Sequence, residues 1–127
     1  MSQATTQGIH VEVQSAYVAA RSQPQARRWL FVYRVEIRND GEQPAQLISR
    51  YWRIQDGMGE VQEVEGPGVI GEKPRLEPGQ SHVYTSFCPL TTSMGKMEGH
   101  YVMQRDDGSR FNAEIAPFLL VDPASIN

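Results

Sequence analysis

From Arg28 to Asn39 the chain reads RWLFVYRVEIRN, and its bulky apolar side chains recur at every second position. Trp29, Phe31, Tyr33, Val35 and Ile37 fall on one side of an extended chain, with Arg34, Glu36 and Arg38 on the other. Alternation of period two, rich in aromatic and β-branched residues, predicts a half-buried strand. A helix would scatter those five side chains around its circumference. Two further runs share the pattern. Ile9, Val11, Val13 and Ser15 alternate with His10, Glu12 and Gln14, and Met97, Gly99, Tyr101 and Met103 alternate with Lys96, Glu98, His100 and Gln104.

Turn signals interrupt these runs at short intervals: Asn39-Asp40-Gly41, Asp56-Gly57, Pro78-Gly79, Met94-Gly95 and Asp106-Asp107-Gly108. Each offers a residue that tolerates positive φ or, in Pro78, one preset for a turn. Strands are expected near 9–19, 28–39, 45–55, 60–65, 80–88, 97–105 and 110–116. About seven short strands with regular turns predict an all-β fold, an antiparallel β-sandwich. Residues 19–27 carry helix formers, but Pro24 interrupts them and their polarity predicts a loop. Residues 1–7 and 122–127 are expected to be loose tails on a single domain, ordered over about 8–121.

Composition narrows the function classes. A chain of 127 residues, 39% hydrophobic and 21% charged, fits one soluble globular domain. Its net charge of −3 provides no global basic field for nucleic acid or an anionic membrane. The single cysteine, Cys88, excludes an intramolecular disulfide framework. The N-terminal MSQATTQGIH lacks the basic start and apolar run of a signal peptide, so a cytoplasmic location is expected.

One hexapeptide suggests chemistry. GPGVIG places Gly66, Gly68 and Gly71 at the G-x-G-x-x-G spacing of dinucleotide-binding turns. A Rossmann turn then requires a helix, whereas the chain continues EKPRLEPG, with Pro74 and Pro78 four residues apart. Without a helix N-terminus there is no stack of free amides and no dipole to meet a pyrophosphate. Two readings survive. The glycines either serve a tight strand connection that needs unusual φ angles, or form a backbone nest for an anion, with Lys73 and Arg75 nearby in sequence.

Other candidates are sparser. His10, His82 and His100 show no ligand-pair spacing, and there is no C-x-x-C, so no metal site is assigned and no cofactor is expected. Cys88 precedes Pro89 with no basic partner placed beside it, and G-x-S-x-G is absent, so no catalytic residue is assigned. Tyr51 and Trp52 point to opposite faces of one strand between Arg50 and Arg53. Trp52 and Arg53 are the candidate partner-binding surface, since exposed Trp and Arg are common interface anchors. The competing reading covers both rings with neighbouring loops.

Several blocks together carry a resemblance. WRIQDG (52–57), the V-x-G-x-G-V-I-G-E-x-P block (64–74), L-x-PG (76–79), G-x-MEG-x-Y (95–101) and the closing GSRFNAEIAPF resemble the ApaG (CorD) family of bacterial proteins. The resemblance covers over half the chain. Two residues depart from it: Phe87 stands where a small residue is expected before Cys-Pro, and Ala116 where a proline is usual.

The resemblance implies an immunoglobulin- or fibronectin-III-like sandwich and a cytoplasmic bacterial protein. It brings a link to Co²⁺ resistance and Mg²⁺ efflux, and a genomic neighbourhood of diadenosine tetraphosphate hydrolysis. Related domains in eukaryotic F-box proteins and a DNA polymerase delta-interacting protein share a partner-binding role. The family supplies no catalytic residues to transfer. The expectation is a non-enzymatic module that binds a protein partner, as monomer or homodimer, without nucleic acid or membrane. The alternatives are a phosphate-bearing ligand, such as a nucleotide or dinucleoside polyphosphate, at Gly66, Gly68, Gly71 and Lys73, or a part in Co²⁺/Mg²⁺ homeostasis.

Overall fold

A computed structural model describes residues 1–126 of the chain. Among them nine strands form two antiparallel sheets: β1 (Ser2–Thr6), β2 (Ile9–Tyr17), β3 (Trp29–Asn39), β4 (Ala45–Asp56), β5 (Val61–Pro67), β6 (Arg75–Leu76), β7 (Ser81–Leu90), β8 (Met94–Gln104) and β9 (Arg110–Val121). One sheet runs β1-β2-β3-β7 and the other β5-β4-β8-β9, with β6 also on β4. The all-β sandwich expected from the alternating runs is the fold observed. On β3, Phe31, Tyr33, Val35 and Ile37 all turn inward, as their spacing requires, and Trp29 packs partly buried against the same core.

The N-terminal tail expectation is corrected at residues 2–6. SQATT offers no bulky apolar alternation, yet Ser2–Thr6 pair with Val13–Ile9 through the tight turn at Gln7-Gly8. Local turn geometry, with positive φ at both turn residues, supplies what the pattern lacks. At the other end Asp122 is buried and accepts a hydrogen bond from the Trp29 indole at 3.2 Å, and Pro123–Ile126 form a 3₁₀ turn. Residue 127 of that expected tail lies outside the described residues. Residues 19–27 contain two short 3₁₀ turns, Ala19–Arg21 and Pro24–Ala26.

Strand β9 runs five residues past its expected end at 116. Ala116 and Pro117 lie between the pairs Ile115–Gly99 and Phe118–Met97, where the register shifts. A proline has no amide for a ladder, and a bulge is where a sheet tolerates one. Phe118 and Leu120 then return to the core.

The two flanks of the sandwich differ. On one, β9 meets β1 and β2: the Glu114 amide donates to Thr6 Oγ1 at 3.1 Å and the Ser15 hydroxyl to the Leu119 carbonyl at 3.0 Å. On the other flank the terminal strands β5 and β7 have no further strand beyond them. One flank is sealed and the other is open.

Candidate functional site

The open flank owes its chemistry to one irregularity in β4. Ala45 and Leu47 face inward, and continued alternation would send Ser49, Tyr51 and Arg53 into the core. The β4–β8 register shifts between Leu47 and Ser49. One extra residue reverses every later side chain. Trp52 is consequently 2% exposed and sits among Tyr33, Phe118 and Tyr101, at ring-centroid distances of 5.3, 5.9 and 6.4 Å. This corrects the expectation of Trp52 as a partner-facing anchor: it is a core residue. Tyr51 takes the outer face and stacks on His100 at 5.0 Å, while Arg53 beside it reaches Glu98 at 3.6 Å.

The same reversal turns Arg50 inward. Its guanidinium lies over Gly66, its cross-strand partner. Nη1 donates to the carbonyls of Pro67 and Gly68, both at 3.0 Å. Among the described residues no carboxylate pairs with Arg50. The guanidinium borders a cleft of about 280 Å³ between β5 and β7, with Tyr33, Trp52, Val64, Ser86 and Cys88 in its walls.

The cleft's ionisable groups are held neutral apart from the arginine. Burial raises the Tyr33 phenol, with the neighbouring Ser86 hydroxyl opposing in part. Outside the cleft, in the core, burial likewise raises Tyr84 and Tyr101, whose hydroxyls bond to each other. The Cys88 thiol is pushed up to about 11 by burial, which keeps it protonated and poorly nucleophilic at neutral pH.

The glycine loop closes one end of this flank. The Gly68 amide donates to Ile48 O at 2.9 Å, Val69 to Glu72 O at 2.8 Å and Glu72 to Val69 O at 3.0 Å. These bonds commit three of the amides that an anion nest would use. Gly68 has φ +60°, and a Cβ there would lie 2.3 Å from the Glu72 carbonyl oxygen. Ile70 and Gly71, both at positive φ, form the two-residue tip between the paired Val69 and Glu72. Val69 is buried as a plug, Ile70 is exposed and Lys73 is exposed. The cation seated against the loop is therefore Arg50, which spacing alone did not single out. Arg75 instead bonds Asp106 at 2.7 Å on the outer surface.

The histidines are dispersed. His10 bonds Thr5 at 2.7 Å, His82 lies 3.6 Å from Glu72, and His100 stacks on Tyr51. Among the described residues no three His, Cys, Asp or Glu side chains converge on a common point. Among the described residues no helix is long and apolar enough to cross a membrane.

Comparison with known proteins agrees with this architecture. The family model for the ApaG domain matches residues 19–105. Protein ApaG of Anaeromyxobacter dehalogenans (strain 2CP-C) is 54% identical over 127 residues, covering 100% of both chains. Protein ApaG of Azotobacter vinelandii is 51% identical over 119 residues, 94% of each chain. The crystal structure of the putative ApaA protein from Bordetella pertussis superposes with a TM-score of 0.89 at 46% identity, covering 91% of this chain and 94% of that one. With a family model over most of its length, full-length relatives at half identity and a matching crystal fold, the chain belongs to the ApaG family.

Proposed function

We propose that the protein is a non-enzymatic binding module that recognises an extended segment of a protein partner along the free edge of β7. The observation that carries this reading is the make-up of that strand. Ser81–Leu90 is ten residues long, terminates its sheet, and contains no Asp, Glu, Lys or Arg. Val83 and Phe87 are 43% and 49% exposed on its outer face. Soluble proteins usually blunt a long edge with charge. Strand β5 follows that practice with Glu63 and Glu65, whereas β7 carries no charge and only Pro89 near its end, leaving Ser81–Cys88 unprotected.

An added strand would draw affinity from main-chain hydrogen bonds and selectivity from the side-chain surfaces at alternate positions. Phe87, under the guanidinium of Arg21 at 5.4 Å, provides an aromatic contact there. The non-enzymatic part of the reading rests on the protonated Cys88 thiol and the three separated histidines. A phosphate-bearing ligand at the glycine loop has less support, because that loop's backbone donors are largely used.

A photo-crosslinking residue at position 83, used in bacterial cells, tests the reading when combined with hydrogen exchange on the recovered complex. The expected result is one recurrent partner, slowed exchange of β7 amides in its presence, and loss of capture in Phe87→Lys. Crosslinks only to a second copy would reassign the edge to a homodimer. Unchanged β7 exchange in every complex, or a measured turnover, would overturn the proposal.

A further inference from the structure

The Arg50 cleft has an unusual electrostatic composition. Its walls carry no Asp or Glu, so the guanidinium is the one formal charge in a cleft of about 280 Å³, within a chain of net charge −3. Arg50 is half-buried, and the guanidinium nitrogens it leaves unbonded still meet solvent, so the cation is open to an incoming oxyanion. Here Nη1 is held by two neutral carbonyls, while among the described residues Nε and Nη2 have no hydrogen-bond partner. Those two nitrogens form the planar edge of a guanidinium that grips an oxyanion with two parallel bonds.

The surroundings are arranged around that group. Gly66 leaves room for it: a Cβ at this position would lie 2.9 Å from Nη2 and 3.0 Å from Nη1. Capping by the Pro67 and Gly68 carbonyls fixes the plane of the fork. The phenol of Tyr33, which burial keeps protonated and which the Ser86 hydroxyl contacts, supplies a neutral hydroxyl donor. Trp52, Val64 and Met97 supply apolar wall.

From these features the geometry points to a binding site for a small organic anion, a carboxylate or phosphate monoester carrying a compact apolar group. The oxyanion sits on the Nε–Nη2 edge of Arg50, and the apolar group lies against Trp52 and Val64. The volume is just below the usual range for ligand pockets, about 300–1,000 Å³, which limits the ligand to a single ring or a short branched chain. This site is separate from the amides of the glycine loop, whose part is to orient the arginine. It does not depend on strand addition at β7.

The test uses the full chain, NMR and three probes: phenyl phosphate, phenylacetate and the neutral phenylacetamide, with inorganic phosphate as a fourth. A ligand of about ten non-hydrogen atoms is expected in the millimolar-to-micromolar range. Binding should shift the Arg50 Nε–H and Trp52 indole N–H signals together with the Ser86 amide. At least one aromatic anion should bind roughly tenfold or more tightly than phenylacetamide, the scale of a charge-assisted hydrogen bond. A preference for phenyl phosphate over phenylacetate assigns the phosphate class, and the reverse assigns the carboxylate class.

Arg50→Gln should remove the difference between anion and amide. Because that variant also loses the caps on the loop, Ser86→Asp provides a second check. It keeps Arg50 and the loop bonds but places a carboxylate in the cleft, and should abolish anion binding. Equal binding of phenylacetamide, shifts confined to other surfaces, or undiminished anion binding in Ser86→Asp would overturn the site. The phenylacetamide comparison and the Arg50→Gln result do not bear on capture at β7, so the two readings fail separately; Ser86→Asp lies on β7 itself and is read for anion binding alone.

Discussion

Arg50 lies so close over Gly66 that a methyl group on the glycine would stand 2.9 Å from a guanidinium nitrogen. The two residues are cross-strand partners on β4 and β5, and the absent side chain is what admits the guanidinium. Gly66→Ala should therefore displace Arg50 and break its bonds to Pro67 and Gly68. A loss of about 1–3 kcal/mol is expected from crowding and the lost charged hydrogen bonds, read by urea unfolding. A variant as stable as the parent would show that the guanidinium moves aside freely.

At the tip of the same loop, Ile70 has φ +47° and is 66% exposed. A β-branched side chain is poorly suited to the left-handed region, and its exposure gives little burial in return. Asn followed by glycine is the favoured pair for such a two-residue turn. Ile70→Asn should raise stability by about 1 kcal/mol, seen as a higher Tm. An unchanged or lower Tm would mean that Ile70 makes a compensating contact.

The bulge in β4 gives Tyr51 and Trp52 opposite fates that substitution can separate. Trp52→Ala should cost about 3–5 kcal/mol, since it empties the centre of an aromatic cluster. Tyr51→Ala should cost about 1 kcal/mol or less, removing chiefly an outer-face stack on His100. Comparable losses in chemical denaturation would place the bulge elsewhere.

Alkaline titration reports on the buried thiol. Cys88 releases its proton near 9.0 when unperturbed and near about 11 in the fold. Below the lower value both states are protonated and the group has no effect on stability. Between the two values the unfolded chain has lost a proton that the folded chain retains, so stability falls as pH rises. Tyr84 and Tyr101, also raised by burial, act in the same direction at higher pH. Cys88→Ala should flatten the decline between about pH 9 and 11. A disulfide reagent at pH 8 should label the native thiol far more slowly than the urea-unfolded one.

The fold was largely legible because most strands announce themselves by period-two alternation that the sandwich then buries. The failures have local causes. Ser2–Thr6 depends on a turn and a neighbouring strand rather than on its own pattern. Pro117 signals a strand end until a bulge accommodates it. The candidate site was less legible for a related reason. Tyr51 and Trp52 could be assigned to opposite faces, but which face was inner depended on the bulge between Leu47 and Ser49. That same shift carried Arg50 inside, sixteen positions from the Gly66 that makes room for it. The glycine spacing drew attention to the right loop, but its backbone bonds and its arginine are properties of the folded chain.

The difference between the two flanks also bears on how copies of this molecule can add to one another. Indefinite stacking of strands requires each sheet to present two free borders, one to receive and one to donate. Here β1 and β9 occupy each other's side of the sandwich, and Thr6 and Ser15 tie that side together. Each sheet keeps a single open border, β7 in one and β5 in the other. Strand addition across a border of either sheet can make a pair related by a two-fold axis, but that sheet has no second border from which a fibre could continue. The sealed flank thus limits each sheet to a single added partner, so no one sheet can grow continuously while the protein displays an uncharged ten-residue edge.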